Sequence, residues 1–104
     1  MLLAGAQAKS RVKMKITGAQ ITAARGLLKI TQAELAAAAG LAEMTVFRFE
    51  AGQAEPYRSS LDKIVSELER RGIEFTNGTG IGVRLNYAKA AEYARTAGQE
   101  WKEP

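Results

Sequence analysis

The stretch Thr31–Gly52, TQAELAAAAGLAEMTVFRFEAG, decides the fold of this chain, because it predicts two short helices joined by a glycine turn. The Thr31 hydroxyl can accept a hydrogen bond from the backbone of Glu34, and the Glu34 carboxylate can reach back to the backbone of Thr31. This pair predicts a capping box and a helix that begins at the next residue. Gly40 supplies the left-handed residue at which helices commonly end. A second helical pattern starts at about Ala42.

The order of helix, tight turn and helix is the arrangement that places a helix in the major groove of DNA. A glutamine opens the first motif helix, an alanine and a glycine lie at the turn, and an apolar-x-x-apolar-Glu-x-Gly string closes the second helix. The residues at these positions are Gln32, Ala36, Gly40, Val46, Phe49, Glu50 and Gly52. In this pattern the segment resembles the phage-repressor-like (XRE or Cro-type) helix-turn-helix family. The resemblance extends over about residues 16–69 and implies a helical domain that binds DNA.

Two further helices are predicted on either side of this motif. Upstream, Thr17 and Gln20 predict a second capping box, and the apolar residues that follow share one helical face over about residues 18–29. Downstream, Ser59 or Ser60 is expected to cap a fourth helix. Its core-facing residues recur every three or four positions as far as residue 70, and a glycine ends it. These core-facing residues are Leu61, Ile64, Val65 and Leu68.

The C-terminal third predicts a hairpin and one more helix. Residues 73–76 and 83–85 alternate apolar and polar side chains around the turn signal Asn77-Gly78, which indicates a small antiparallel hairpin. Residues 87–104 place small and aromatic residues at helical spacing, although Gly98 weakens that pattern. The predicted fold is therefore mainly α: a repressor-like helix-turn-helix domain of four to five helices, with a small C-terminal β-hairpin and a C-terminal helix.

Four segments follow from these predictions. They are a basic N-terminal arm at residues 1–15, expected to be disordered, the helix-turn-helix domain at 16–72, the hairpin at 73–86 and the helical tail at 87–104.

Composition argues against several classes of function. With 104 residues the chain has room for one domain and a single core. It contains no cysteine and no histidine, so thiolate sites are excluded and the commonest general base and metal ligand is missing. We therefore expect that the protein is not an enzyme and that it binds neither a metal nor a cofactor. No apolar run approaches the roughly 20 residues that span a bilayer, which predicts a cytoplasmic protein without membrane contact.

The net charge of +4 lies entirely in the N-terminal arm. Residues 1–15 carry four basic and no acidic side chains, residues 16–86 carry eight of each, and residues 87–104 carry three of each. Non-specific affinity for DNA comes mostly from neutralisation of phosphates. The basic composition alone is therefore weak support for DNA binding by the folded domain.

The resemblance also implies roles for individual residues. In the family, side chains at the positions of Glu43, Met44 and Arg48 approach base edges, with that of Phe47 close by, and those at Gln32 and Thr45 bond phosphates. An arginine and a glutamate at the positions of Arg25 and Glu50 form a structural ion pair. Arg48 is the best candidate for base recognition, because a guanidinium can donate two hydrogen bonds to guanine.

Two departures from the family pattern leave alternatives open. The cap position before the second motif helix is usually Ser or Thr in the family and is Ala42 here, which removes a side-chain cap worth about 1 kcal/mol. Glu43, Met44 and Phe47 make an acidic and apolar face, which suits a protein partner as well as DNA. Gln32 and Arg48 could also be purely structural or solvated.

We therefore predict a bacterial or phage transcriptional regulator that binds double-stranded DNA as a homodimer through the helix at about residues 43–51, with the hairpin or the tail as the dimer surface. The alternative is an antiactivator or antitoxin that binds a protein, either a transcriptional activator or a toxin, through Met44 and Phe47.

Overall fold

A computed structural model describes residues 15–53 and 57–104. Apart from Lys15, the predicted basic arm lies outside the described residues, and so does part of the loop before the fourth helix. In the described part of the chain, five helices and one two-stranded antiparallel sheet follow in the order α1 (Gly18–Leu28), α2 (Gln32–Ala39), α3 (Glu43–Glu50), α4 (Arg58–Arg70), β1 (Ile73–Thr76), β2 (Gly82–Leu85) and α5 (Tyr87–Thr96). The predicted fold class is confirmed.

Local capping signals set the starts of α1 and α2. At the start of α2, the Glu34 backbone N–H donates to the Thr31 hydroxyl at 3.0 Å, and the Thr31 N–H donates to the Glu34 carboxylate at 2.8 Å. Thr17 and Gln20 make the same reciprocal pair at the start of α1. Gly40 ends α2 with φ 73°, in the left-handed region. The predicted caps of these two helices are confirmed.

The predicted cap of α4 is wrong. The helix begins at Arg58, its N-cap is Tyr57, and no side chain caps it. The backbone N–H of Leu61 already donates to the carbonyl of Tyr57 at 3.0 Å, so the helical hydrogen bonds start two to three residues before the expected position. Ser59 and Ser60 therefore lie inside the first turn, where their hydroxyls are not at the cap position.

Helices α1 to α4 and strand β1 enclose one hydrophobic core. Helices α1, α3 and α4 contribute residues spaced three or four apart, which is the pattern expected of a face turned toward a core, and α2 contributes two adjacent residues. The buried members are Ile16 before α1, Ile21 and Ala24 on α1, Leu35 and Ala36 on α2, Val46 and Phe49 on α3, Ile64, Val65 and Leu68 on α4, and Ile73 on β1. The core thus fixes one side of α3 and leaves the opposite side outward.

The hairpin is held against α1 by a buried side chain. The Gln20 amide donates hydrogen bonds to the carbonyls of Thr76 and Gly82, at 3.0 and 3.1 Å. Because Thr76 pairs with Gly82, this contact lies at the end of the ladder, and the connecting loop spans residues 77–81. The loop is longer than a two-residue Asn-Gly turn, although the Asn77-Gly78 signal lies at its start.

The last helix packs on the end of α4 through a glycine. Gly72 has φ 109°, and an added Cβ there would lie 3.0 Å from the backbone nitrogen of Ala90. Helix α5 ends at Thr96, before Gly98 with φ 73°, and the chain then folds back so that the Trp101 ring lies 5.9 Å from that of Tyr87. The helix is therefore shorter than the whole 87–104 segment.

The contact between α1 and the end of α3 predicts opposite effects for two alanine substitutions. A Cβ at Gly18 would lie 2.3 Å from the Phe49 carbonyl oxygen, a backbone atom that cannot rotate away. We expect Gly18→Ala to destabilise the protein by about 1–3 kcal/mol, as overpacking does. Urea denaturation measures the change.

Gly26→Ala is the matched control in the same helix, since nothing lies within 4 Å of the added atom. It should stabilise the protein by about 0.5–1 kcal/mol, because alanine is the better helix former. Equal effects of the two substitutions would contradict the packing described here.

Candidate nucleic-acid interface

Helices α2 and α3 form the helix-turn-helix unit, with the turn at residues 40–42. Val46 is fully buried and Phe49 is 7% exposed, so one side of α3 faces the core. Thr45, which is half-buried, and Glu50, whose side chain is buried, lie at the two edges of that side. A helix turns by about 100° per residue, so the side chains opposite Val46 and Phe49 must point away from the protein.

Four side chains occupy the outward side of α3. Glu43 and Arg48 are exposed, Met44 is 52% exposed and Phe47 is 43% exposed. At about 100° of rotation per residue, Met44 lies at the centre of this side. Phe47 lies about 60° from Met44 around the helix axis in one direction, and Arg48 lies about 40° from it in the other. The structure therefore brings Glu43, Met44, Phe47 and Arg48 together on one surface, which we call the outward face of α3.

The start of α3 has no side-chain cap. Its N-cap is Ala42, whose methyl group accepts no hydrogen bond. Glu43 lies in the first turn, where a negative charge interacts favourably with the partial positive charge of the helix N-terminus. The acidic residue on the outward face thus also contributes to helix stability.

Arg48 is available to a ligand. Its side chain is exposed, and it makes no ion pair with any residue in the described ranges. Other basic side chains of the fold have acidic partners: Arg70 and Arg71 pair with Glu67, Arg84 and Lys89 with Glu74, and Arg95 with Glu92.

The end of α3 is fixed by a buried carboxylate. The Glu50 side chain is 5% exposed, and its oxygens accept from Nε and Nη2 of Arg25, both at 2.8 Å. Arg25 also donates through Nη1 to the carbonyl of Ile30 at 3.0 Å. This ion pair joins α1 to the last residue of α3.

Gln32 and Thr22 complete the same cluster. The Gln32 amide donates to Glu50 at 2.9 Å, and the Thr22 hydroxyl donates to it at 2.9 Å. Gln32 is therefore held inside the motif, away from the outward face, with one amide N–H and the amide oxygen still available. Sequence reasoning missed these two contacts, because Gln32 and Thr22 lie 18 and 28 residues from Glu50 and no local pattern links them.

These contacts set the protonation of Glu50. Burial raises the pKa of its carboxyl, but the hydrogen bonds from Arg25, Gln32 and Thr22 and the positive charge of Arg25 outweigh burial and leave the pKa below the ordinary value. Glu50 is thus a charged structural residue at neutral pH.

Nowhere in residues 15–53 and 57–104 do three or more acidic side chains come together in a group that could hold a metal ion. Among the same residues, no helix has the length and apolar character needed to cross a membrane.

Comparison with known proteins identifies the motif. The model of the family HTH_3, described as Helix-turn-helix, matches residues 21–75, which include α2, α3, α4 and most of α1. No curated protein gives a match to the chain.

The buried cluster predicts a pH-dependent loss of stability. We expect Glu50→Gln to cost about 3 kcal/mol at pH 7, the lower end of the range for breaking a buried ion pair, because the Arg25 side chain keeps 18% exposure. A carboxyl with a lowered pKa in the folded state stabilises the protein above about pH 4.3, the value of an unfolded glutamate, and this stabilisation is lost as the pH falls further. The difference between wild type and variant should therefore be constant from pH 6 to about pH 5 and shrink as the pH falls from there toward about pH 3.

Urea denaturation across this pH range measures the effect. Glu34→Gln is the matched control, because a glutamine can keep the capping box at the start of α2. A difference between Glu50→Gln and wild type that stays constant with pH would show that the Glu50 charge does not stabilise the fold.

Proposed function

The chain belongs to the helix-turn-helix family HTH_3, a family of DNA-binding regulators, and on that premise we propose that it is a sequence-specific transcriptional regulator acting as a dimer in the cytoplasm. Helix α3 would lie in the major groove with its outward face toward the bases. The observation that carries this proposal is the exposure of that face, with Arg48 unpaired among the described residues at its edge. No residue is assigned a catalytic role.

Each residue of the proposed interface has a role that fits its position. Arg48 would donate two hydrogen bonds to guanine, which discriminates against other bases by about 1–3 kcal/mol. Glu43, Met44 and Phe47 would face the neighbouring base edges from the same outward side of α3.

Gln32 and Thr45 are the proposed phosphate contacts. Gln32 uses one of its two amide N–H groups on Glu50, which leaves the second for a phosphate oxygen. Thr45 lies at the edge of α3, between the buried and the outward sides. The Gln32 side chain is thus anchored by the protein, as a residue that fixes the register of a helix on DNA needs to be.

Affinity needs a second copy of the chain. A single recognition module buries only about 600–1,000 Å² on DNA. Residues 16–104 carry equal numbers of basic and acidic side chains, so no excess of charge compensates for that small surface. The hairpin and α5 are the candidate dimer surfaces. Both expose apolar residues, Ile81 at 54% and Tyr87 at 47%.

Selection of bound sequences from random double-stranded DNA tests the proposal. We expect an enriched palindrome whose half-sites are about 10 base pairs apart, because a two-fold dimer places two recognition helices one helical turn apart. The absence of any enriched sequence would refute specific DNA recognition. It would instead point to a protein-binding role for Met44 and Phe47.

Arg48→Ala should remove the specificity for the selected site. We expect the affinity for that site to fall by about tenfold or more, and the affinity for unrelated DNA to change little. The reason is that a contact to a base distinguishes the selected site from unrelated DNA, whereas a contact to a phosphate does not. Fluorescence anisotropy at two salt concentrations measures both affinities.

Arg70→Ala removes the same charge from α4, where Arg70 is 57% exposed and Arg71 remains to pair with Glu67, and it is the matched control. An equal loss for the two variants would mean that Arg48 acts only through its charge.

A further inference from the structure

The centre of the outward face of α3 cannot form strong hydrogen bonds. Met44 lies there, about 160° and 140° around the helix from the buried Val46 and Phe49, and it is 52% exposed. Phe47, on the next turn and 43% exposed, extends the apolar surface to one side. Of the four side chains on this face, only Arg48 donates hydrogen bonds and only Glu43 accepts strong ones.

Base edges in the major groove offer few partners for such a surface. Guanine, cytosine and adenine present hydrogen-bonding groups and small C–H edges there, whereas thymine also presents its C5 methyl group. An apolar side chain that covers a hydrogen-bonding group of a base removes the water bound to that group and offers no hydrogen bond in its place, which costs free energy. A thymine methyl is the largest apolar group in the groove, and it is therefore the group that Met44 or Phe47 can cover most favourably.

We propose that Met44 and Phe47 recognise the C5 methyl groups of thymines beside the base pair that Arg48 contacts. This inference rests on the proposed function, since it assumes that α3 enters the major groove. According to this proposal, contact with the methyl groups is one determinant of the DNA sequence that this chain prefers.

The helix geometry limits where these thymines lie. Residues four apart on a helix have Cβ atoms about 5–6 Å from each other, and so do residues three apart. Successive base pairs are about 3.4 Å apart along the duplex. The thymine under Met44 should therefore be one or two base pairs from the guanine of Arg48.

The charged neighbours of Met44 favour DNA over an apolar protein partner. Burial of this face against a protein would remove water from Arg48, which has no ion-pair partner among the described residues, and from Glu43. Charged groups buried without partners are costly. In the major groove, guanine acceptors can pair with Arg48 and a cytosine amino group can pair with Glu43, beside the thymine methyl groups.

Substitution of deoxyuridine for thymidine tests the inference, because the two differ only by the C5 methyl group. In the sequence obtained by selection, each thymidine of a half-site is replaced in turn, and the affinity of the full-length protein is measured. We expect a loss of about three- to tenfold at one or two positions, and little change elsewhere.

Three variants assign the effect to a side chain. Met44→Gln keeps the length of the side chain but not its apolar end. It should bind the thymidine site more weakly and lose the difference between thymidine and deoxyuridine at one position. Met44→Leu should keep that difference. Tyr57→Gln changes an exposed aromatic residue at the start of α4, away from the outward face and from both candidate dimer surfaces, and should leave the methyl dependence unchanged.

The outcomes separate the two proposals. A protein that binds its selected site but is indifferent to every deoxyuridine would overturn the methyl inference and leave DNA recognition intact. Phe47→Gln tests the second apolar side chain in the same way, and methyl dependence that survives both in Met44→Gln and in Phe47→Gln would also overturn the methyl inference. A protein that binds no DNA sequence would fail earlier, at the selection step, and would overturn the proposed function as well.

Discussion

The carboxylate of Glu50 is the constraint on which the geometry of the motif depends. The Glu50 side chain is only 5% exposed, and a charged group buried to this extent needs hydrogen-bond partners from the protein. Its partners are Arg25 and Thr22 on α1 and Gln32 on α2. These contacts hold the last residue of α3 against both preceding helices. The close approach of Gly18 to the backbone of Phe49 and Glu50 reinforces the same junction. The direction of α3 is therefore set from its C-terminal end.

This arrangement separates stability from recognition. An isolated helix as short as the eight-residue α3 is unstable in water, so α3 depends on packing of Val46 and Phe49 and on the Glu50 cluster. The outward side chains contribute little to that packing. They can therefore be acidic and apolar, as Glu43, Met44 and Phe47 are, at small cost to the fold. The missing cap at Ala42 is tolerated for the same reason.

The sequence predicts the parts of this structure that depend on neighbouring residues. The capping boxes at Thr17 and Thr31 and the glycine end of α2 involve residues within a few positions of each other. The start of α4 was harder to predict, because serine is a common cap and Tyr57 is not. Contacts between distant segments, such as Gln20 with the hairpin carbonyls and Gln32 with Glu50, have no local signal. The outward face of α3 follows from helical periodicity, but its partner does not, because the same face suits DNA and protein.

The charge distribution of the folded part bears on how it would hold DNA. Residues 16–104 are neutral overall, and several of the arginines on α4, β2 and α5 already have acidic partners. Affinity gained through release of counterions grows with the number of phosphates that are neutralised, so it should be small for this part of the chain. Under the proposed function, binding must come mainly from the fit of the outward face to its bases. A second copy doubles those contacts without adding net charge, which makes the dimer a physical requirement of the proposal.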